Sequence, residues 1–290
     1  MPELPEVEAI RTGIRENLLG KWVVDYQLML PKLIESPAGL EIDQIKGQPI
    51  EGVERRGKYL AITFPSLVIV LHLKLAGQVV LRDSDGTGFS AGHPVPAFDA
   101  ELPHKSTHLI LSIDDGSRLF VTDIRHFTRL RLMPPEDLDS YWETLNLGPD
   151  ARSPQFTLDT FLERLARRLK ARVKPLLLDQ KFVAGLGNIY ADESLYRAKI
   201  HPERMAADLS LEEADDLFIA IGEVLDIAVP LGGAEILNGK AGPDHGEFPF
   251  IHGREGEPCL RCGATIVKTR VSNRGTYLCP ECQPSPVDRT

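Results

Sequence analysis

Apolar residues near the start of the chain recur at three- and four-residue intervals: Val7, Ile10, Ile14 and Leu18. That period predicts an amphipathic helix over residues 5–19, with Pro5 suited to its first turn and Gly20 to its stop. From Lys21 to Met133 the pattern becomes short runs rich in Val, Ile, Leu and Thr, such as WVVDYQLML, KYLAITF, LVIVLHL, THLILSI and RLFVT. These read as strands separated by turn signals such as Asp114-Asp115-Gly116. One helix followed by many strands predicts a β-sandwich or barrel-like domain with the helix packed on it. Within it, Asp83 to Lys105 is rich in Gly and Pro and is expected to be a long mobile loop. Residues 134–156 carry Pro134, Pro135, Pro149 and Pro154 and are expected to link domains. Helical patterns follow at 157–170, near Pro175 to Leu178, at Asn188 to Ala198 and at Leu211 to Ala228. The expected organisation is α+β: a β domain at 1–133, a linker at 134–156, a helical domain at 157–230, a Gly-rich loop at 231–258 and a cysteine-bearing tail at 259–283.

Composition narrows the class. The 290 residues are 42% hydrophobic, ordinary for a globular chain of about two domains. No run approaches the roughly 20 apolar residues of a membrane span, and the acidic N-terminus does not resemble a signal peptide, so a cytoplasmic location is expected. The formal net charge of −9 argues mildly against a nucleic-acid partner, but DNA responds to local patches. Acidic residues gather between Glu203 and Asp226, whereas Arg164, Arg167, Arg168, Lys170, Arg172 and Lys174 form a basic run, with Arg261, Lys268, Arg270 and Arg274 later. Read alone, either run is equally well a solvated face. No P-loop is present, and Gly185-Leu186-Gly187 is only a fragment of a dinucleotide-binding motif.

All four cysteines lie near the end: Cys259, Cys262, Cys279 and Cys282, two C-x2-C pairs separated by sixteen residues. Two such pairs can close a tetrahedral zinc site. The intervening TIVKTRVSNRGTYL reads as a β-hairpin turning near Ser272 to Gly275, too small for a core of its own and thus dependent on the metal. The alternatives are two disulfides, disfavoured in a cytoplasmic protein, or a redox pair. Four protein ligands make a zinc ion structural and not catalytic.

At the other end, Met1 is followed by Pro2 and Glu3. Removal of Met1 leaves Pro2 as a free secondary amine, and α-amino groups titrate near 7.7–8.0, well below lysine. Such an amine attacks an anomeric carbon and gives an iminium directly, which suits glycosidic cleavage followed by strand scission. A proline at position 2 is also simply common.

Taken together, MPELPEVE, RRGKYL at 55–60, GLGNIYADE at 185–193 and the CxxCG…RGTYLCPECQ tail resemble, in order and over almost the whole chain, the formamidopyrimidine-DNA glycosylase (Fpg/Nei) family, in its oxidised-purine branch. The resemblance implies a helix–two-turn–helix element in the helical domain, a zinc ribbon at the tail, and a lesion-capping loop at 231–258. It implies Pro2 as Schiff-base nucleophile and Glu3 as the acid/base at the sugar ring oxygen, with Glu6 in support. Lys58 is implied as a phosphate contact and proton donor in β-elimination; strand alternation would place it with Leu60 and opposite Tyr59. Arg274 is implied at the lesion phosphate and in δ-elimination, where a guanidinium fork suits phosphate. Asn188, opening a helix, is implied at a phosphate, and Lys170 and Lys174 as further backbone contacts. Base flipping leaves a gap in the stack, and Arg125, Phe127 and Leu75 match the side chains that fill it. Two positions depart from the family pattern: Lys74 stands for a glycine, and Ser106 for a DNA-contacting histidine.

The implied activity is bifunctional: N-glycosylase on 8-oxoguanine and formamidopyrimidines, then abasic-site lyase by β,δ-elimination. One structural Zn2+ and damaged double-stranded DNA are the expected cofactor and partner, with a monomer acting in the bacterial cytoplasm. The other readings are an oxidised-pyrimidine glycosylase of the endonuclease VIII type, a non-catalytic DNA-damage binder of the same fold, and a plain zinc-ribbon interaction protein.

Overall fold

The computed structural model describes residues 1–234, 236, 237, 240, 241 and 248–286; nine residues of the expected loop at 231–258 lie outside them. The chain divides into two compact units, Met1–Asn146 and Leu147–Thr290.

The first unit opens with helix α1 (Leu4–Leu18), whose N-cap is Glu3. Glu3 and Glu6 form a reciprocal capping box: each carboxylate accepts from the other's backbone N–H, satisfying two donors that a helix start otherwise leaves orphaned. Eleven strands follow: β1 (Trp22–Leu28), β2 (Ile34–Glu35), β3 (Gln48–Pro49), β4 (Gly52–Arg56), β5 (Tyr59–Thr63), β6 (Val68–His72), β7 (Gly77–Arg82), β8 (Ser90–Gly92), β9 (Thr107–Ile113), β10 (Arg118–Asp123) and β11 (Arg129–Met133). They form a six-stranded sheet ordered β3-β1-β9-β10-β7-β8 and a five-stranded sheet ordered β2-β11-β6-β5-β4.

Alternate residues of both sheets meet in one core. Leu60 and Ile62, Ile69 and Leu71, Val79 and Leu81, Leu109 and Leu111, Leu119 and Val121, and Leu130 and Leu132 all point inward, joined by Val7, Ile10, Ile14 and Leu18 of α1. Each fully buried Leu or Ile contributes about 1.5–3 kcal/mol, which is why the period-two pattern fixes the register. The strands read as continuous apolar runs because their other faces are covered too. Val80, Ile110 and Phe120 pack with Leu102. Ala61, Val68 and Val70 pack with Trp142 of a helix, α2 (Leu138–Thr144), formed inside the stretch expected to be linker. Trp142 also donates its indole N–H to Glu54 at 2.7 Å.

The stretch 83–105, expected to be mobile, is fastened to the sheet. Gln78 Nε2 donates to the carbonyls of His93 (2.6 Å) and Pro96 (2.5 Å), and Arg82 donates to that of Phe98. Gly92 lets β8 approach β7: its φ is +112°, and a Cβ there would lie 2.6 Å from the Gly77 carbonyl oxygen.

The second unit contains α3 (Leu158–Ala166), α4 (Val173–Leu178), α5 (Asn188–Arg197), α6 (Leu211–Ala228), the short pair β12 (Ile236–Leu237) and β13 (Lys240–Ala241), and a terminal hairpin of β14 (Val267–Val271) and β15 (Arg274–Leu278). Helix α3 ends four residues before the predicted 170. The Arg168 N–H turns back onto Leu165, and residues 169–173 instead exchange backbone hydrogen bonds with 204–207. Helix α6 keeps its predicted span, with Ser210 and Glu213 as a capping box. No helix among the described residues is long and apolar enough to cross a membrane.

Candidate active site and zinc centre

Several predicted residues of the first unit gather at one end of the sandwich, and the strand registers show why. Glu8, one turn into α1, accepts from Arg55 at 2.8 Å, and Arg55 also donates to the Gly57 carbonyl at 2.9 Å. Arginine thus ties the start of α1, with buried Pro2 and Glu3, to the β4–β5 turn that carries Lys58. Burial works to raise the Glu8 carboxyl, but hydrogen bonds from Arg11 and Arg55 and their charges hold it below its ordinary value. Lys58 sits in that two-residue turn and not on a strand, as Arg56 pairs with Tyr59; the alternation expected for it does not apply. The residue is only 7% exposed, so it is not a surface lysine.

Tyr59 pairs with His72, which leads into the loop of Lys74 and Leu75. His72 is pushed down to about 3 by burial and by the charges of Lys74 and Lys58, and as a neutral ring its Nδ1 accepts the Lys74 N–H at 2.9 Å. Lys74 has φ +53°, the left-handed region that favours glycine, which accounts structurally for the glycine usual there. Gly77, after this loop, pairs with Asp123, and Asp123 leads into the loop of Arg125 and Phe127.

One carboxylate shapes that second loop. Asp123 accepts the N–H groups of Arg125 (2.7 Å), Phe127 (2.8 Å) and Thr128 (2.7 Å), and the Thr128 hydroxyl at 2.8 Å. Burial opposes its charge, but these donors prevail and keep the carboxyl below its usual value. Arg125 and Phe127 project from the loop, both exposed, with the guanidinium 5.1 Å from the ring centroid. Ser106, in contrast, is 5% exposed and holds Asp123 N–H through its carbonyl, so nothing of its side chain replaces the family's histidine at the surface.

In the second unit one prediction is corrected. Lys174, expected as a DNA-backbone contact, does not lie at the surface: its side chain is wholly buried, its ammonium 2.6 Å from Asp192, and it donates to the Gly275 carbonyl (3.0 Å) and the Thr276 hydroxyl (2.7 Å). A buried lysine needs such a partner set, and Asp192 supplies it. Asp192 also meets His252 Nδ1 at 2.8 Å and the Tyr277 N–H at 3.2 Å. The next residue, Glu193, is fully buried and accepts the N–H groups of Phe250, Ile251 and His252; burial raises its carboxyl despite them. Neither acid was singled out from the sequence. The available signal was two adjacent carboxylates inside an apolar helical stretch.

Asn188 is the first helical residue of α5, and Gly187 is the cap. Its amide donates to the Gly275 carbonyl at 2.9 Å, while its buried Oδ1 has no partner among the described residues. Asn188 and Lys174 therefore hold the same carbonyl, immediately beside Arg274. Arg274 begins β15 and is exposed, after a turn in which Ser272 and Asn273 have φ +48° and +63°, the requirement of a type I′ hairpin. Lys170 is exposed.

The four cysteine sulfurs lie within 4.8 Å of one another, with Cys259–Cys282 at 3.9 Å and Cys262–Cys279 at 3.4 Å. A tetrahedron of thiolates at about 2.3 Å from zinc has edges near 3.8 Å, so the set fits that ion. Backbone N–H groups of Arg261 and Cys282 point at Cys259 and Cys279 sulfurs, and the Tyr196 hydroxyl lies 3.2 Å from Cys259. Burial works to raise the Cys259 thiol, but Tyr196 and the amides bring it down to about 6.

Comparison with known proteins agrees with this architecture. Residues 1–130 match the formamidopyrimidine-DNA glycosylase N-terminal domain, 147–238 the formamidopyrimidine-DNA glycosylase H2TH domain, and 256–284 a zinc finger found in FPG and IleRS. The formamidopyrimidine-DNA glycosylase of Enterococcus faecalis is 41% identical over 98% of this chain and 97% of its own, and that of Pelotomaculum thermopropionicum 40% over 98% and 99%. Lactococcus lactis Fpg bound to abasic-site DNA superposes with a TM-score of 0.82 at 33% identity, covering 98% of this chain and all of that one. The same enzyme with DNA containing N7-benzyl-Fapy-dG gives 0.83 at 32% over the same extents. The chain belongs to the formamidopyrimidine-DNA glycosylase family.

Proposed function

We propose that this protein is a bifunctional DNA glycosylase and lyase of base excision repair, acting on oxidised purines through Pro2. The observation that carries the reading is the fixed geometry of its first residues. Pro2 and Glu3 are buried at the head of α1, locked by the Glu3–Glu6 capping box, at the end of the sandwich where Lys58, Leu75, Arg125 and Phe127 gather.

Removal of Met1 exposes the Pro2 nitrogen. Its lone pair bonds to C1′, and the glycosidic bond breaks with its electrons leaving on the base. Glu3 gives a proton to the ring oxygen as the sugar opens to the iminium. Loss of a C2′ proton then expels the 3′ phosphate, and a further proton loss expels the 5′ phosphate; Lys58 and Arg274 serve these eliminations. Leu75, Arg125 and Phe127 fill the gap left by the flipped nucleotide, and Asn188 and Lys170 contact phosphates. Cys259, Cys262, Cys279 and Cys282 hold one zinc ion, which when bound cross-links the two knuckles and leaves no position for water. The partner is damaged double-stranded DNA, met by a monomer.

Borohydride trapping on an abasic duplex tests the chemistry. A covalent adduct whose protein end maps to Pro2 is expected, lost on blocking the terminal amine and nearly lost in Glu3→Gln while DNA binding survives. An adduct elsewhere, or none alongside an active control enzyme, refutes the mechanism. Lesion panels separate purine from pyrimidine preference.

A further inference from the structure

The stretch 83–105 carries a residue to the reacting end of α1. Phe89, just before β8, lies flat on Gly13 of α1: a Cβ on Gly13 would sit 2.5 Å from the ring. Strand β8 then packs along α1. Four extended residues from Phe89 to His93 span about 13 Å. Nine helical residues from Gly13 back to Leu4 span about 13.5 Å. A strand running toward the helix start therefore delivers His93 to the Pro2–Glu3 end.

Two observations fix that direction. The His93 N–H donates to the Gly77 carbonyl at 3.0 Å, and Gly77 pairs with Asp123, so His93 emerges beside the loops of Leu75 and Arg125. Burial, and next the positive charge of the terminal amine, here that of Met1, hold the imidazole below its ordinary value; the Val95 backbone contact and Asp123 work to raise it and Arg125 to lower it. The ring is therefore neutral at pH 7. Its Nδ1 meets both the Val95 N–H at 3.1 Å and the Val95 carbonyl at 3.3 Å; the shorter contact makes Nδ1 the acceptor and leaves the proton on Nε2. The ring is half-buried, its backbone is clamped by Gln78, and Nε2 has no partner among the described residues. A rigidly held, uncharged N–H donor beside the nucleophile neither competes for its proton nor repels the iminium.

We propose that His93 Nε2–H donates a hydrogen bond to an acceptor oxygen of the nucleotide under attack, making His93 a substrate contact supplied by the 83–105 segment. The proposal rests on Pro2 being the nucleophile.

Single-turnover excision of 8-oxoguanine and borohydride trapping on an abasic duplex test it, with unaltered protein, His93→Phe and His93→Gln. Phe keeps the ring without the donor; Gln keeps a donor. His93→Phe should slow the reaction about 10- to 100-fold at unchanged melting temperature and DNA affinity, and His93→Gln should recover to within about threefold. Slowing on both substrates assigns the contact to the sugar, and slowing of base excision alone assigns it to the base. His93→Phe rates equal to those of the unaltered protein, or a loss that Gln does not recover, overturn the proposal alone. Failure of the unaltered protein to trap overturns the Pro2 reading, and this proposal with it.

Discussion

Replacing Lys174 by Met deprives Asp192 of a cation 2.6 Å away at a site where both side chains are wholly buried. Breaking a buried pair by removing one partner costs about 3–5 kcal/mol, because the other charge is left without compensation. Asp192 keeps His252 Nδ1 at 2.8 Å and the Tyr277 N–H at 3.2 Å, which puts the loss near the lower end, about 3 kcal/mol. The second unit, Leu147–Thr290, unfolds with an entropy of about 0.3 kcal/mol per kelvin at its size. Its melting temperature should therefore fall by about 10 °C. The two units can melt separately, so calorimetry is paired with a zinc-release dye that marks the second unit's transition. Asp192→Asn should cost a similar amount, whereas K174M/D192N together buries no charge and should recover at least half of either loss. A single variant within 2–3 °C of the unaltered protein (roughly 1 kcal/mol), or a double variant whose loss is the sum of the two, refutes the coupling. The loss should also reach the hairpin, since Lys174 shares the Gly275 carbonyl with Asn188, and DNA affinity should fall with stability.

Other expectations follow from the same geometry. Chelating zinc should unfold the cysteine hairpin, whose core is little more than Tyr196, Ile251, Ile266 and Tyr277, and weaken DNA binding; unchanged affinity after verified metal loss would contradict the role given to Arg274. Glu8 is held below its ordinary value of 4.5, so its contribution is present above that value and is lost as pH falls through the folded one. The melting difference between the unaltered protein and Glu8→Gln should accordingly be largest near pH 7 and vanish in acid, and a difference that grows in acid would reverse the assigned sign. Gly92→Ala meets the Gly77 carbonyl at 2.6 Å in a conformation unsuited to alanine and should cost about 1–3 kcal/mol, measured by urea unfolding. It should also displace His93 and slow excision.

Much of the fold was legible because burial imposes a period. Helix α1, the long strands and α6 each bury one face or both, and their apolar spacing records it. Helix α2 left no such trace: seven residues between prolines hold one buried side chain, Trp142, and too few positions repeat for a period to show. The N-terminal and cysteine parts of the candidate site were legible as motifs, since residue types at short spacing carry them. Lys174 was misread because a basic run looks the same whether its members face solvent or one of them is folded inward onto an acid eighteen positions away. The left-handed backbone of Lys74 and the arrival of His93 at the head of α1 depend on register between distant strands, which spacing along the chain does not encode.

Under the proposed function, the Asp123 carboxylate bears on how the protein searches a duplex. Four donors of a five-residue loop converge on one buried acid, so the loop that presents Arg125 and Phe127 has its shape before any duplex arrives. A scanning enzyme tests a great many undamaged pairs for each lesion it meets. A probe that had to order itself at every step would repeat that entropic toll each time, whereas a pre-tensioned one leaves each pair's own resistance to opening as the quantity being sampled.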